Sequence, residues 1–363
     1  MLARSIRTAF ALATALLALA ATPALAAAGT HAVFTQTNAA GGNAVLAFDR
    51  APDGTLSAPV AYPTLAQGGG SGLGSQGAVW LDEDGQVLFA VNAGSGSITS
   101  FRSRDDGLQL ASVVSSGGER PVSVTSRKDL VYVLNAGVPN SIAGFRVDAR
   151  GVLTPIAGSW RALSAADTAP AQVQFSPDGR SLVVTEKATN AIAVFAIGDD
   201  GLASAASTYP SGGATPFGFD FDRRGRLFVS DAVGGAPLGS GASSYDVSGS
   251  SLTALTAFAP TGQTAACWLV VSKDGRFAWT ANAASASISR YGIAPDGSIA
   301  LEGQAATGTG AVDLALSGSG RDLFSLANGS HEIRSFAVGA GGGLEPSAVA
   351  GGLPAGLAGL AAR

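Results

Sequence analysis

The sequence predicts an all-β chain folded as a seven-bladed β-propeller of four-stranded blades, with a C-terminal strand completing blade one. Three observations carry this. A polar residue closes a short apolar run at Asn38, Asn92, Asn135, Glu186, Asp231, Asn282 and Asn328, at steps of 54, 43, 51, 45, 51 and 46 residues. An aromatic residue follows each in phase, at Phe48, Phe101, Phe145, Phe195, Tyr245, Tyr291 and Phe336. Asp-Gly and similar turns separate the runs, and a period in the forties to fifties filled with short strands is the mark of a propeller whose blades are four-stranded sheets.

Taken in chain order, the first segment has Arg4 and Arg7, an apolar stretch from Ala9 to Ala21, Pro23, and the small-residue site Ala24-Leu25-Ala26. This is the pattern of a cleaved secretory signal, so residues 1–26 are assigned to a signal peptide and 27–363 to a single propeller domain. Its apolar core is shorter than the roughly 20 residues that span a bilayer, and no membrane span is expected in the mature form. The first repeat opens on what matches a second strand, Ala32 to Thr37, with no inner strand before it. At the other end Pro354 to Leu360 resembles the inner-strand openings at Pro121, Pro170 and Pro216, and it has no hairpin after it. The C-terminus is therefore expected to supply the missing strand and remove two exposed sheet edges.

The fourth repeat is the clearest template. Ala171 to Phe175 alternates as an inner strand, Ser176-Pro177-Asp178-Gly179 turns, Leu182 to Glu186 returns, Ala191 to Ile197 follows, and Asp199-Asp200-Gly201 turns into an outer strand. Inner hairpins turn likewise at Asp84-Gly85, Arg224-Gly225, Asp274-Gly275 and Ser319-Gly320. The third repeat substitutes Arg127-Lys128-Asp129, and in the seventh Asn328 is one residue out of step.

Antiparallel neighbours run in opposite directions, so each inner-strand opening lies at the same end of the blade as the close of its second strand. That face gathers the polar ring and two long Gly-rich loops, Gln67 to Gln76 and Ala232 to Gly241. Long loops on a rigid scaffold are where binding usually resides. Glu186 and Asp231 replace Asn in the ring, and a carboxylate with a pKa raised by burial suits general base work. They are the candidate catalytic groups, with Gln172 to orient a carbonyl. Lys187 and Arg120 are candidate holders of a substrate acid group. Gln263, Trp268 and His331 complete the candidate binding set. The competing reading is structural, because Asn and Asp at strand ends commonly cap the following turn.

Composition narrows the classes. The chain has a formal charge of −4, about −6 once Arg4 and Arg7 are removed, with 13% charged residues and no basic run, so nucleic acid is not an expected partner. Cys267 is the single cysteine, which excludes an internal disulfide, and it has no neighbouring histidine to activate it. Two histidines and no His/Cys cluster suggest neither zinc nor a Ser-His-Asp triad. Gly68 to Gly74 leads into a strand rather than a helix, so it is not a dinucleotide cradle. No metal and no cofactor are expected.

The stretch Phe175-Ser176-Pro177-Asp178-Gly179-Arg180-Ser181-Leu182, and Thr280-Ala281-Asn282 through Ile288 to Tyr291, resemble the seven-bladed lactonase-type propellers over nearly the whole mature chain. That family includes 6-phosphogluconolactonases and carboxymuconate-lactonising (cyclase) enzymes, and the resemblance implies opening or forming a lactone ring in a small organic acid or sugar derivative. In the phosphogluconolactonase branch the fourth inner strand opens with Arg-His and the second strand ends with Asn-Glu. Here Ala171-Gln172 and Thr185-Glu186 stand at those places, so the phosphate anchor and proton shuttle are missing while the acid remains. Pro216-Phe217-Gly218-Phe219 and Gln263 to Trp268 resemble an exported subgroup. The expectation is a secreted or periplasmic, monomeric, metal-independent lactonase or cyclase acting on a lactone or organic acid. The alternative is a non-catalytic propeller recognising a glycan or an envelope protein.

Overall fold

The computed structural model describes residues 32–363 apart from position 105; the signal-peptide assignment and His31 lie outside the described residues. Seven antiparallel sheets follow one another along the chain. Blade one contributes Val33–Gln36, Ala44–Phe48 and Val60–Pro63, and its inner strand is Ala358–Ala362 from the far end of the chain. Blades two to seven begin with the inner strands Val79–Leu81, Pro121–Arg127, Pro170–Phe175, Pro216–Phe221, Ala266–Val271 and Ala311–Leu316. Their second strands are Val87–Asn92, Leu130–Asn135, Ser181–Glu186, Arg226–Asp231, Phe277–Asn282 and Asp322–Ala327. In blade three the outer strand is divided into Leu153–Pro155 and Arg161–Ala162, both paired with Ser141–Val147.

The second strands are buried along their length, and this explains their near-continuous apolar runs: each has a neighbouring blade on both faces. Val183, Ile192 and Val194 of blade four pack with Phe219, Leu227, Val229 and Tyr245 of blade five, and the core continues in this way from blade to blade. The phased aromatics are the wedges of these interfaces, all seven being buried. Each pairs with the start of its second strand, as Leu182 does with Phe195. Outer strands such as Ser207–Pro210 alternate with solvent, as the rim of a propeller must.

Closure occurs as expected but in a shifted register. The terminal strand starts at Ala358 rather than Pro354, pairs Val33 with Ala362, and carries a bulge where Gly359 adopts φ +75°. The ring of polar strand ends also needs a correction. Asn38 lies two positions beyond its strand and Asn328 one, and Thr37 and Ala327 occupy the equivalent places. Asn38 instead takes a left-handed φ of 49° and holds the glycine-rich loop, accepting from Gly69 N at 2.7 Å and donating to the Ser71 carbonyl at 2.5 Å.

Candidate functional site

The registers Pro121 to Asn135, Pro170 to Glu186, Pro216 to Asp231 and Ala266 to Asn282 place inner-strand openings and second-strand ends at one end of the ring, here called the crossover rim. The inner hairpins form the opposite, hairpin rim. Residues just before four inner strands, Arg120, Ala169, Thr215 and Ala265, have φ between 46° and 58°. These left-handed turns bring the chain in from the circumference to the axis, so their strain belongs to the blade crossover.

The polar ring ties each second strand to its surroundings. Asn92 Nδ2 donates to Ser97 and Thr99, Asn282 Nδ2 to Ser287 and Ser289, and Asn135 Nδ2 to the Ser116 carbonyl on the incoming crossover. Glu186 performs the same task with a carboxylate. It is fully buried and accepts from Ser164 N at 3.0 Å, from the Ser164 hydroxyl, and from Thr189 Oγ1 at 2.8 Å. Asp231, also fully buried, accepts from Ser211 Oγ at 3.1 Å, while its Oδ2 has no partner. Burial pushes the Asp231 carboxyl up to about 7, and it in turn raises the neighbouring Tyr245 phenol, already raised by its own burial.

Arg120, Lys187 and Trp268 are brought together near the axis on the crossover rim, joined by Phe217 and Cys267. Lys187 Nζ stands 4.7 Å from the Phe217 ring centroid and donates to the Gly74 carbonyl at 2.5 Å. Burial lowers its pKa to about 8, with Arg120 adding to the depression and Cys267 opposing it. The Cys267 thiol is pushed up to about 12 by burial, which makes it a poor nucleophile. Trp268 packs on Phe217 with ring centroids 5.0 Å apart and donates its indole N–H to the Ser75 carbonyl at 3.0 Å.

Gln172, Gln263 and His331 lie apart from this group. The Gln172 amide makes a closed pair with Phe219 of blade five, accepting from its N–H at 2.7 Å and donating to its carbonyl at 2.9 Å. Gln263 is held between Gln304 and Ser287 on blade six. His331 is exposed, with Nδ1 3.1 Å from the Leu353 carbonyl.

Two features escaped the sequence reading. The first is that the glycine-rich loop crosses the axis and plugs the channel from the crossover rim. Ser75 Oγ donates to Val122 O in blade three and Gln76 N to Ala171 O in blade four. Gln76 then bridges to Leu269 in blade six, with Nε2 on its carbonyl at 2.8 Å and Oε1 on its N–H at 3.0 Å. Gly218 in blade five makes room for this, since a Cβ there would meet Gln76 Oε1 at 2.0 Å and the Cys267 carbonyl at 2.7 Å.

The second is a cavity of about 510 Å³ below the plug, reaching to the hairpin rim and lined by all seven inner strands or the turns beside them. Its walls carry Gln172, Gln174, Asp220 and Asp313. Gln174 donates to Asp220 at 3.0 Å, and Asp220 accepts from Val271 N at 2.9 Å, stapling blades four, five and six. Burial raises the pKa of Asp220 and raises that of Asp313 further. A signal for this lumen is present in Phe217-Gly218-Phe219-Asp220-Phe221 and Val312-Asp313-Leu314, where an acid interrupts a run that would otherwise be core. Among the described residues no three His, Cys, Asp or Glu side chains form a group able to hold a metal ion, and no helix is long and apolar enough to cross a membrane.

Comparison with known proteins agrees with the architecture. No curated protein matches the chain. Among solved structures it is similar to a protein from Lactobacillus plantarum, at 17% identity, TM-score 0.73, covering 91% of this chain and 98% of that one. It is similar to the periplasmic gluconolactonase of Pseudomonas aeruginosa at 19% identity, TM-score 0.72, over 91% and 98%. The virginiamycin B lyase of Staphylococcus aureus, at 17% identity, TM-score 0.54 and coverage of 76% and 84%, shows that the ring also serves other chemistry. The family model described as lactonase, seven-bladed β-propeller, matches residues 42–165 and 140–233, together more than half of the 363 residues. The chain thus belongs to the seven-bladed β-propeller lactonase family.

Proposed function

We propose that the protein opens or forms the lactone ring of a small organic acid or sugar derivative at the crossover rim, without a metal, and that it works outside the cytoplasm. Export is supported by the charged, apolar and small-residue pattern of residues 1–26 and by the similar Pseudomonas protein being a periplasmic gluconolactonase. The observation that carries the activity is Lys187. Its half-buried ammonium lies against the Phe217 ring and the Gly74 carbonyl, and the charged group that acts on it is another cation, Arg120, the buried Cys267 thiol being neutral. A desolvated cation of this kind gains most from an incoming anion. The carboxylate of a hydroxy acid, or the carbonyl oxygen of a lactone as it becomes an oxyanion, meets that need, with Arg120 as the second donor. Phe217 offers an apolar floor beneath it. In this reading Glu186 and Gln172 hold the scaffold, because their polar atoms are engaged within it, and Asp231 is enclosed in the network of Ser211, Tyr245 and Ser243 in blade five.

The test is hydrolysis of a panel of five- and six-membered lactones, including glucono-1,5-lactone, by the purified protein. Lys187→Met should lower kcat/KM by about 100-fold, the scale of losing one oxyanion donor. Glu186→Gln should leave it within about two-fold wherever the protein folds. Turnover unaffected by Lys187→Met refutes the site, and a collapse specific to Glu186→Gln restores that residue as the base. The engagement of Glu186 by three donors also favours a second reading, a non-catalytic propeller that binds a glycan or envelope protein on this rim. Saturable binding to such a partner with no turnover of any lactone would establish it.

A further inference from the structure

We propose that the axial cavity on the hairpin rim is a second binding site, separate from the crossover rim, for a small neutral polyhydroxylated molecule such as a hexose or cyclitol. The volume of about 510 Å³ lies within the ~300–1,000 Å³ of small-molecule sites and is many times the roughly 30 Å³ that a water occupies. The Gln76 bridge closes its inner end, so it is a blind pocket rather than a through-channel.

Its wall holds unused hydrogen-bonding capacity. Thr125 Oγ1, Asp313 Oδ2 and Arg127 Nε are buried and have no partner, although buried polar groups are ordinarily satisfied. Thr125 and Asp313 belong to blades three and seven, on opposite sides of the ring, so one ligand in the lumen lies between them. Donors and acceptors together on a wall that also includes the partly buried Trp80 indole, pinned by its N–H to Ser126 Oγ at 3.1 Å, suit the hydroxyls and C–H faces of a sugar. Charge selects against ions. Asp82, Glu83 and Asp84, on one turn at the mouth, balance Lys273, Arg363 and Arg127, the last paired with Glu83, so the mouth has no net positive field to draw an anion. Deeper in, burial raises the carboxyl pKa of Asp220 and, further, that of Asp313, which weakens the attraction for a cation.

The experiment is saturation-transfer NMR titration of the full chain with D-glucose, myo-inositol, D-gluconate and choline. D-glucose or myo-inositol should give a saturable signal that weakens at least tenfold in Thr125→Val, an isosteric change that removes only the hydroxyl, and in Asp313→Asn. The signal should persist in Lys187→Met, which separates this site from the crossover rim. A cooperative melt within a few degrees of the parent validates each variant, and Thr125→Val decides if Asp313→Asn does not fold. No saturable binding of either neutral probe overturns the proposal. Preference for gluconate or choline, or loss of the sugar signal in Lys187→Met, overturns it equally.

Discussion

Asp231→Asn separates a structural ring carboxyl from a catalytic one. Asp231 lies in the buried network of Ser211, Tyr245 and Ser243, and its Oδ2 has no hydrogen-bond partner. Its carboxyl is raised from 3.8 to about 7 by burial, so the folded state retains a proton that the unfolded chain releases above pH 4. The stability this group contributes is fully present below pH 3.8 and falls as the pH rises to about 7. Integrated over the window, ionisation costs at most about 4 kcal/mol at pH 8, from 1.36 kcal/mol per pKa unit. Asn removes that term. It also gains a donor beside Ser243, whose place on the third strand matches Thr99 and Ser289, which accept from Asn92 and Asn282. Urea unfolding from pH 4.5 to 8.5 should therefore show the variant equal to the parent at the acid end and more stable by about 1–4 kcal/mol at pH 8, with the parent's decline abolished. A difference that does not change with pH, or a variant weaker at pH 8, refutes the reasoning. Lactone turnover lost despite retained stability would make Asp231 catalytic.

Other consequences are equally direct. Gly218→Ala forces a methyl into Gln76 Oε1 and the Cys267 carbonyl, and should cost about 1–3 kcal/mol in urea unfolding; no loss would mean that the Gln76 bridge is not formed in solution. Lys187, lowered from 10.5 to about 8, makes the unfolded chain bind more protons between those values, so stability should rise across pH 8–10.5. The rise is on the order of 3 kcal/mol at most, since the Gly74 carbonyl and Phe217 ring favour the charged form, and it should vanish in Lys187→Met. Deleting Ala358–Arg363 leaves the edges of Val33–Gln36 and of the neighbouring inner strands bare, and should produce a chain that aggregates or melts at least 10 °C lower; an unchanged melt would refute ring closure by this strand.

The blades were legible because a repeated backbone leaves repeated side-chain marks. A strand end needs a polar cap, and an interface between twisted sheets needs a wedge, so Asn282 and Tyr291 announce a blade as plainly as Asn92 and Phe101 do. The site was less legible. Glu186 and Asp231 stand out chemically from the asparagines, yet register assigns them the same ties to strand and crossover. The plug was invisible because Gly68 to Gln76 has no local pattern. Its order comes from Val122, Ala171, Trp268 and Leu269, which are about 50 to 200 positions away in sequence. Arg120, Lys187 and Trp268 were placed on one rim by strand polarity alone, whereas Gln263 and His331 share that polarity but sit further out along their blades.

Pairing Val33 with Ala362 joins positions 329 residues apart. Loop-closure entropy must be met before so distant a contact is rewarded. Six blades draw all their strands from contiguous sequence, but blade one stays incomplete until Ala358–Ala362 reaches Val33–Gln36. Until then the ring remains an unsealed arc with bare edges. The five-residue strand Ala358–Ala362 thus acts as a clasp on the ring.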